Sequence, residues 1–416
     1  MTDPIAPPPK KNPQKPQAVP LSPPAARSRA ALGLSAAAAE ARFALQHCAE
    51  CGAVQYPPRD ACHGCLSTDL RWRDTDPAGT LIAETTVRTS PNLYFRRAAP
   101  WRTGTVRLDV GVSVVAHVHG DCEKGGRVRL INRLDRAGQG VLMALPEGET
   151  PNMADDPELR ELTCDPKHRR VLLTDARQAN APALAKALLD AGASVVFVGE
   201  AETWRPYPQR ETLAAMEGVQ LLPLDVTDTS SVVELAGEIG GKVDILVNNA
   251  RFVRPGGILS RGDVGFAQRE MDVNAFGLMR LAQAFGPGMR ARGADGVNNA
   301  VAWVNILSVH ALASDPAYGG FNASQAAALS AAQTLRAELR PGGVRVATLF
   351  VGPTEDDWHQ DVPPPKVLPK ALARSLVQGL RDGTEEIWCG DVAQDLRDRL
   401  RQDPKVVERQ VSEGGA

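Results

Sequence analysis

Two pairs of cysteines carry the most specific chemistry in this sequence. Two residues separate Cys48 from Cys51, two separate Cys62 from Cys65, and ten separate the pairs. A C-x-x-C spacing lets both sulfurs of one tight knuckle reach a single ion, and two knuckles complete a tetrahedral set of four thiolates. Such a set leaves no open coordination position, so the expected metal is a structural zinc. It would fold a segment with too few apolar residues to fold alone. His47 and His63 flank the knuckles and are read as exposed neighbours, because four cysteines suffice. Cys122, Cys164 and Cys389 stand alone among the seven cysteines. An odd count with paired knuckles points to a reducing, cytoplasmic setting rather than a disulfide framework.

The chain that positions these groups has 416 residues, of which 43% are hydrophobic, enough for two or three domains with real cores. A net charge of -2 gives no global basic field for nucleic acid, and an aromatic content of 5% argues against a base-stacking surface. No run of 18 apolar residues offers a membrane span, and the Pro- and Lys-rich start lacks the apolar core of a signal peptide.

Residues 1–25, with nine prolines, are expected to be a disordered arm. Residues 26–68 hold an Ala-rich helix over 26–44 and then the cysteine segment. Residues 69–147 contain five short Val/Thr/Ile-rich strands separated by Gly-containing turns, which suits a small β-barrel. Residues 148–168, polar and Pro-containing, read as a linker. From 169 to 391 apolar strands alternate with helices, the pattern of a doubly wound parallel sheet. Its strands are expected at 171–174, 194–199, 219–224, 243–248, 301–307, 344–351 and 387–389, and its long helices at 229–240, 263–286, 322–340 and 368–382. Residues 392–416 are expected to be a charged, fraying tail.

Residues 43–59, including the first knuckle and Tyr56-Pro57-Pro58-Arg59, resemble the rubredoxin-like zinc ribbon followed by an OB-fold of an acyl-CoA-associated family. Val106-Arg-Leu-Asp-Val-Gly111 fits the same family, and the resemblance covers residues 27–147. It implies a role beside thiolase-type enzymes, where the module binds the thiolase and helps hold the CoA part of the substrate. Arg96, Arg97 and Arg102 with Trp101 form the one local basic and aromatic cluster, and are candidate contacts for a CoA phosphate or a solvated loop.

Residues 169–391 resemble the short-chain dehydrogenase/reductase family. Leu224-Asp-Val-Thr-Asp228 matches the segment whose Asp, here Asp225, contacts adenine. Asp244-Ile-Leu-Val-Asn248-Asn-Ala250 matches the strand-ending Asn-Asn-Ala-Gly motif. Asn274 matches the Asn that orders the proton-relay water, and Ser308 the Ser that polarises the substrate carbonyl. The active parts depart from the family. Its Gly-rich first turn reads Thr174-Asp175-Ala-Arg177-Gln-Ala-Asn-Ala181, without a glycine. Those glycines let the backbone approach the pyrophosphate, and Asp175 adds a carboxylate where phosphates would arrive. Arg251 replaces the Gly of Asn-Asn-Ala-Gly, and Gly352-Pro353-Thr354 reverses the family's Pro-Gly.

The family's Tyr-x-x-x-Lys places an ammonium beside a phenol on one helix face and lowers the phenol pKa for acid–base work. Phe321 and Gln325 stand in those positions, and Tyr318 has no Lys four residues on. The resemblance thus implies a pseudoenzyme with vestigial Asn274, Ser308, Phe321 and Gln325. Thr174, Glu200, Asp225 and Asn248 remain as traces of a cofactor site that does not hold NAD(P) tightly. The family's long helices, here 263–286 and 322–340, would still support a dimer. The expected role is an accessory subunit of a thiolase-type acyl-CoA complex, partnered by a thiolase or an active dehydrogenase. The alternative is an NAD(P)-dependent oxidoreductase with a rearranged site, acting on an acyl-CoA or a ketone.

Overall fold

The structure, a computed structural model, describes residues 2–7, 22–293 and 299–413. Two compact units divide the chain, one mainly residues 22–164 and the other mainly 165–381 with 386–413. Most of the Pro-rich stretch expected to be a disordered arm lies outside the described residues. Its described start is tied down: Thr2 Oγ1 donates to Asp121 Oδ1 at 2.7 Å and the Ile5 amide to Asp155 Oδ2 at 3.3 Å.

The first unit begins with α1 (Leu32–Ala39), shorter than the helix expected over 26–44. Ala41 takes a left-handed φ of 56°, which ends the helix and turns the chain into a strand. The ribbon is a three-stranded antiparallel sheet of β1 (Ala44–Cys48), β2 (Val54–Gln55) and β3 (Leu70–Asp74), with β1 central. β4 (Ala78–Val87), β5 (Trp101–Leu108), β6 (Ser113–Val118), β7 (Arg127–Leu134) and β8 (Gly140–Pro146) close a barrel in the order β4-β5-β6-β8-β7. A short helix, α2 (Leu93–Ala98), joins β4 to β5. Alternating residues Leu81, Val106, Val114, Val118, Val128, Leu130 and Leu142 fill the interior.

The expected linker over 148–168 is instead built into this unit as far as residue 164. Asp156 caps α3 (Pro157–Glu161) by accepting the amides of Glu158 and Leu159 at 2.9 and 3.0 Å. The same side chain accepts the Gly120 amide at 2.9 Å. Leu159 and Leu162 then cover Ile131, Met143 and Leu145 on the outside of the barrel. A cap, a proline in the first turn and two leucines three residues apart make a helix of a stretch whose polarity suggested a loop.

The second unit is a seven-stranded parallel sheet. Its strands are β9 (Arg170–Leu173), β10 (Val195–Glu200), β11 (Val219–Pro223), β12 (Ile245–Asn248), β13 (Ala302–Ser308), β14 (Arg345–Val351) and β15 (Glu386–Cys389). Their order is β11-β10-β9-β12-β13-β14-β15, so the winding reverses between β9 and β12. A doubly wound sheet opens a crevice outside the carboxyl ends of its strands at that switch point. Strands buried on both faces explain the continuous apolar runs. The helices are α4 (Ala181–Asp190), α5 (Arg210–Ala214), α6 (Thr229–Ile239), α7 (Gly265–Met271), α8 (Gly277–Arg292), α9 (Gly319–Leu339) and α10 (Pro369–Asp382). A π-helical turn over Asp272–Phe276 interrupts what the sequence suggested was one helix from 263 to 286.

The tail expected to fray over 392–416 is ordered through Ser412 as α11 (Asp391–Gln402) and α12 (Pro404–Ser412). Asp403 caps α12 by accepting the amides of Lys405 and Val406 at 2.9 and 3.2 Å. Ala393, Leu396 and Val407 pack with Val309. The charges that suggested a solvated tail occupy one face of two amphipathic helices whose other face is buried.

Candidate functional site

The sulfurs of Cys48, Cys51, Cys62 and Cys65 lie within 4.8 Å of one another, with Cys48–Cys65 at 3.5 Å and Cys51–Cys62 at 3.6 Å. A zinc ion with bonds of about 2.3 Å to four tetrahedral sulfurs sets them roughly 3.8 Å apart, so the four residues fit the ion. The histidines are engaged elsewhere: His47 Nε2 meets Thr75 Oγ1 at 2.9 Å and His63 Nδ1 meets Gln55 Oε1 at 3.2 Å. Sequence reasoning missed the buttress behind the knuckles. Buried Gln55 donates to Gln46 Oε1 at 3.0 Å, Gln46 Oε1 accepts the Arg59 amide at 2.8 Å, and Gln55 Oε1 accepts the His63 amide at 3.1 Å. Two glutamines in β1 and β2 thereby fix the loop that presents Cys62 and Cys65, a tie that only strand pairing reveals.

The basic cluster of the barrel does not hold together as a phosphate site. The Arg102 guanidinium donates to the carbonyls of His119, Gly120 and Cys122 at 2.8, 2.9 and 2.8 Å and is bonded to Glu84. Its donors are therefore spent on closing the barrel. Arg96 Nε donates to the Ser90 carbonyl at 2.9 Å and ties its own loop. Arg97 is exposed, and the rings of Phe95 and Trp101 are tilted against each other with centroids 5.2 Å apart. Of the four expected contacts, Arg97 and Trp101 remain as candidates.

In the second unit the positions of the expected proton-transfer machinery are brought together, but with other chemistry. Ser308 ends β13, and Gln325 on α9 accepts its backbone amide through Oε1 at 2.8 Å. Gln325 is 2% exposed and Phe321, one turn earlier, 1%. Asn274, in the π-helical turn, brackets Phe252: its Oδ1 accepts the amide at 2.9 Å and its Nδ2 donates to the carbonyl at 2.8 Å. Its Nδ2 also donates to Ser324 Oγ at 2.8 Å. His310 was not singled out in the sequence. Its ring lies 4.9 Å from that of Tyr318 and 5.7 Å from that of Phe321. Burial in this aromatic cluster pushes the imidazole down to about 4. Burial likewise raises the Tyr318 phenol, so neither group is poised for proton transfer near neutral pH.

The crevice at the switch point is filled by the chain itself. Thr174 Oγ1 donates to Asn248 Oδ1 at 2.9 Å, joining the ends of β9 and β12. Asn249 clamps the backbone of Asp175, accepting its amide at 2.9 Å and donating to its carbonyl at 2.8 Å. Burial raises the Asp175 carboxyl, which accepts Gln178 Nε2 at 2.7 Å and the Arg177 amide at 2.9 Å. Arg177 reaches across to the carbonyls of Ala201, Glu202 and Arg205 at 3.0, 2.9 and 2.8 Å and lies over the Tyr207 ring. Glu200 is paired with Arg210 at 2.7 Å, and Asp225 folds back onto Thr227, so both expected adenosine contacts have internal partners. On the other side Arg251 Nη2 meets Asp356 Oδ2 at 2.6 Å. The space left between Arg177, Gln178, Asn180, Arg251 and Asp356 is about 100 Å³.

With this geometry established, comparison with known proteins places both halves. A family model described as enoyl-(acyl carrier protein) reductase matches residues 178–387, half of the chain, and the chain belongs to that short-chain dehydrogenase family. The ChsH2 rubredoxin-like zinc ribbon model matches residues 35–71 and the ChsH2 C-terminal OB-fold model residues 72–132. The chain is therefore a fusion of a ChsH2-type ribbon and OB module with a short-chain dehydrogenase domain. An uncharacterized oxidoreductase of Mycobacterium bovis is 32% identical over 213 residues, 48% of this chain and 59% of the relative, so the chain spans little more than half of that protein. An NADPH-dependent 1-acyldihydroxyacetone phosphate reductase of Schizosaccharomyces pombe is 37% identical over 143 residues, 32% of this chain and 44% of the reductase. A crystal structure of a short-chain dehydrogenase from Burkholderia cenocepacia in complex with NADP matches 58% of this chain and 97% of its own, with a TM-score of 0.52 and 29% identity.

Proposed function

We propose that this protein is a non-catalytic accessory subunit of a thiolase-type acyl-CoA enzyme complex. In this reading the ribbon and barrel dock a thiolase or thiolase-like acyltransferase, and the dehydrogenase half serves assembly, as a dimer or beside an active dehydrogenase. Cys48, Cys51, Cys62 and Cys65 would hold one structural zinc in the cytoplasm. Among the described residues no helix is long and apolar enough to cross a membrane.

The observation that carries the reading is the proton-transfer site. Where a Tyr and a Lys would act, Phe321 has no proton to give and Gln325 spends its carbonyl on the Ser308 amide. The residues at the crevice do not fit a dinucleotide either. Small-molecule pockets run from roughly 300 to 1,000 Å³, and the cleft here is about 100 Å³ with an ion pair across it. No reaction step is therefore assigned to a nicotinamide. The OB-fold is not assigned to nucleic acid, since the net charge of -2 offers no electrostatic footprint.

A second reading has specific support: named relatives of the dehydrogenase half are oxidoreductases, and Asn274 and Ser308 are retained. It makes the protein an NAD(P)-dependent oxidoreductase for an acyl-CoA or ketone, with a rearranged site. Gentle purification of the tagged chain from its own host, with mass spectrometry of what accompanies it, tests the first reading. A thiolase-type enzyme at comparable stoichiometry is expected. The chain alone, together with a rise in NADPH fluorescence on adding protein, would move the assignment to the second.

A further inference from the structure

Arg251 follows β12 and Asp356 follows β14, and in the sheet β13 lies between those strands. Their ion pair therefore straddles the carboxyl end of β13, which carries Ser308, at the edge where a doubly wound sheet receives its ligand. Both side chains are largely withdrawn from water, at 12% and 8% exposure. The Asp356 carboxylate takes four donors. Besides Arg251 they are Thr354 Oγ1 at 2.5 Å, the Trp358 amide at 3.0 Å and His359 Nδ1 at 2.7 Å. Arg251 also donates to Thr354 Oγ1 at 3.3 Å, and its own carbonyl accepts Gln178 Nε2 at 3.0 Å from the turn after β9.

A second fastening lies three residues on. The Arg254 guanidinium lies over the rings of Trp358 and Phe266, 5.3 Å from each centroid. A cation over an aromatic face adds a modest attraction that ties the segment after β12 to this loop. The far end of the segment is closed by backbone, with the Val367 amide on the Pro353 carbonyl at 2.8 Å and the Glu355 amide on the Val367 carbonyl at 3.0 Å. A long loop after a strand, rich in polar residues, ordinarily needs a ligand or a packed cover to hold one conformation. Here it receives two arginines from the segment after β12.

We propose that Arg251 and Arg254 form a built-in clamp that holds residues 353–367 closed over the carboxyl edge of the sheet without any bound ligand. The clamp does for the loop what a ligand in the crevice would otherwise do, and it occupies the ligand's place. The domain is then locked in one state, and Glu355, Asp357 and Trp358 stay at the rim of the remaining cleft whether or not anything binds. The clamp stands on its own geometry and does not depend on a thiolase partner. Failure of one proposal leaves the other intact.

Hydrogen–deuterium exchange on the full chain tests this. In the wild type, amides of 353–367 are expected to exchange slowly without ligand, and 1 mM NADPH or NADP is expected to change their rates by less than about twofold. Arg251→Ala should speed exchange in this segment by about tenfold or more, and Arg254→Ala by less, while β9–β12 amides keep their rates. Asp356→Asn, which keeps the shape and removes the charge, should reproduce the Arg251→Ala effect. It also serves as the test if Arg251→Ala does not fold. The clamp is overturned if wild-type 353–367 exchanges freely and is slowed by NADPH, or if neither Arg251→Ala nor Asp356→Asn speeds it.

Discussion

At the scale of single residues, the site is defined by what Gln325 and His310 can no longer do. Gln325 is buried and its one useful acceptor is spent on the Ser308 amide. Restoring the family residue there should harm the protein rather than revive it. Gln325→Lys removes the acceptor and buries an ammonium, at a cost of about 2–4 kcal/mol, and Phe321→Tyr beside it adds a hydroxyl to a full core. The double variant is expected to lose stability in urea denaturation and to show no NADPH oxidation with ketone or acyl-CoA substrates. Turnover at any measurable rate would refute the reading that the glycine-less turn does not take the cofactor. His310 gives a pH signature. Its native imidazole titrates at about 4, chiefly through burial, against about 6.5 in an unfolded chain. Between those values the unfolded chain binds the extra proton, so stability rises as pH climbs from 4 to 6.5 and is level above. The contribution lost at pH 4 is on the order of 3 kcal/mol. A His310→Phe variant should flatten that part of the urea-midpoint curve, and an unchanged slope would assign the effect to other groups.

At the scale of elements, the cysteine segment depends on its ion in a way the barrel does not. β1–β3 bury few apolar side chains of their own, whereas the barrel has a continuous interior from Leu81 to Leu142. We expect one zinc per chain by metal analysis. Cys62→Ser should abolish it and raise amide exchange in residues 44–74 by more than about a hundredfold, with the β9–β15 sheet unaffected. Full zinc occupancy in that variant would mean the ligand set is wrong. How much of this was legible beforehand follows from which forces are local. The ligands are readable because knuckle spacing is a short-range constraint, and the strands because burial on one or both faces writes a period into the sequence. α3 and the two terminal helices were misread because few apolar positions sit among many charges. Leu159, Leu162, Leu396 and Val407 show their purpose only against the surface they cover. The pairings that fill the crevice were not legible at all. Arg251 meets Asp356 across 105 positions, and Arg177 meets carbonyls 24 to 28 residues on. Long-range partners of that kind carry no local pattern. The internal partners of Arg102 were not legible for the same reason, since the carbonyls it donates to come from 17 to 20 residues away.

At the scale of the whole molecule, an accessory subunit must assemble, and the second unit offers a face for it. Phe276 and Met279, at the start of α8, are 45% and 40% exposed. On α9, which packs beside α8, Ala323, Ala326 and Ser330 point outward. Small residues on one helix beside large apolar ones on its neighbour allow a second copy to approach closely and bury the larger side chains. Exposed apolar residues of this size on paired helices are better explained by a covered interface than by a solvated one. The expected state is therefore a dimer through α8 and α9. Met279→Arg with Ala326→Arg places like charges and bulk at its centre. That should weaken association at least about a hundredfold, a loss of roughly 3 kcal/mol. Light scattering at micromolar concentration would show wild-type dimer and variant monomer, with zinc content unchanged in both. Because the ribbon and barrel are proposed to dock the thiolase-type partner, the monomeric variant should still co-purify with that enzyme from the host. Loss of the partner along with the dimer would place docking on the dehydrogenase half. A monomeric wild type would leave the clamp and the zinc site standing and remove the assembly role assigned to α8 and α9.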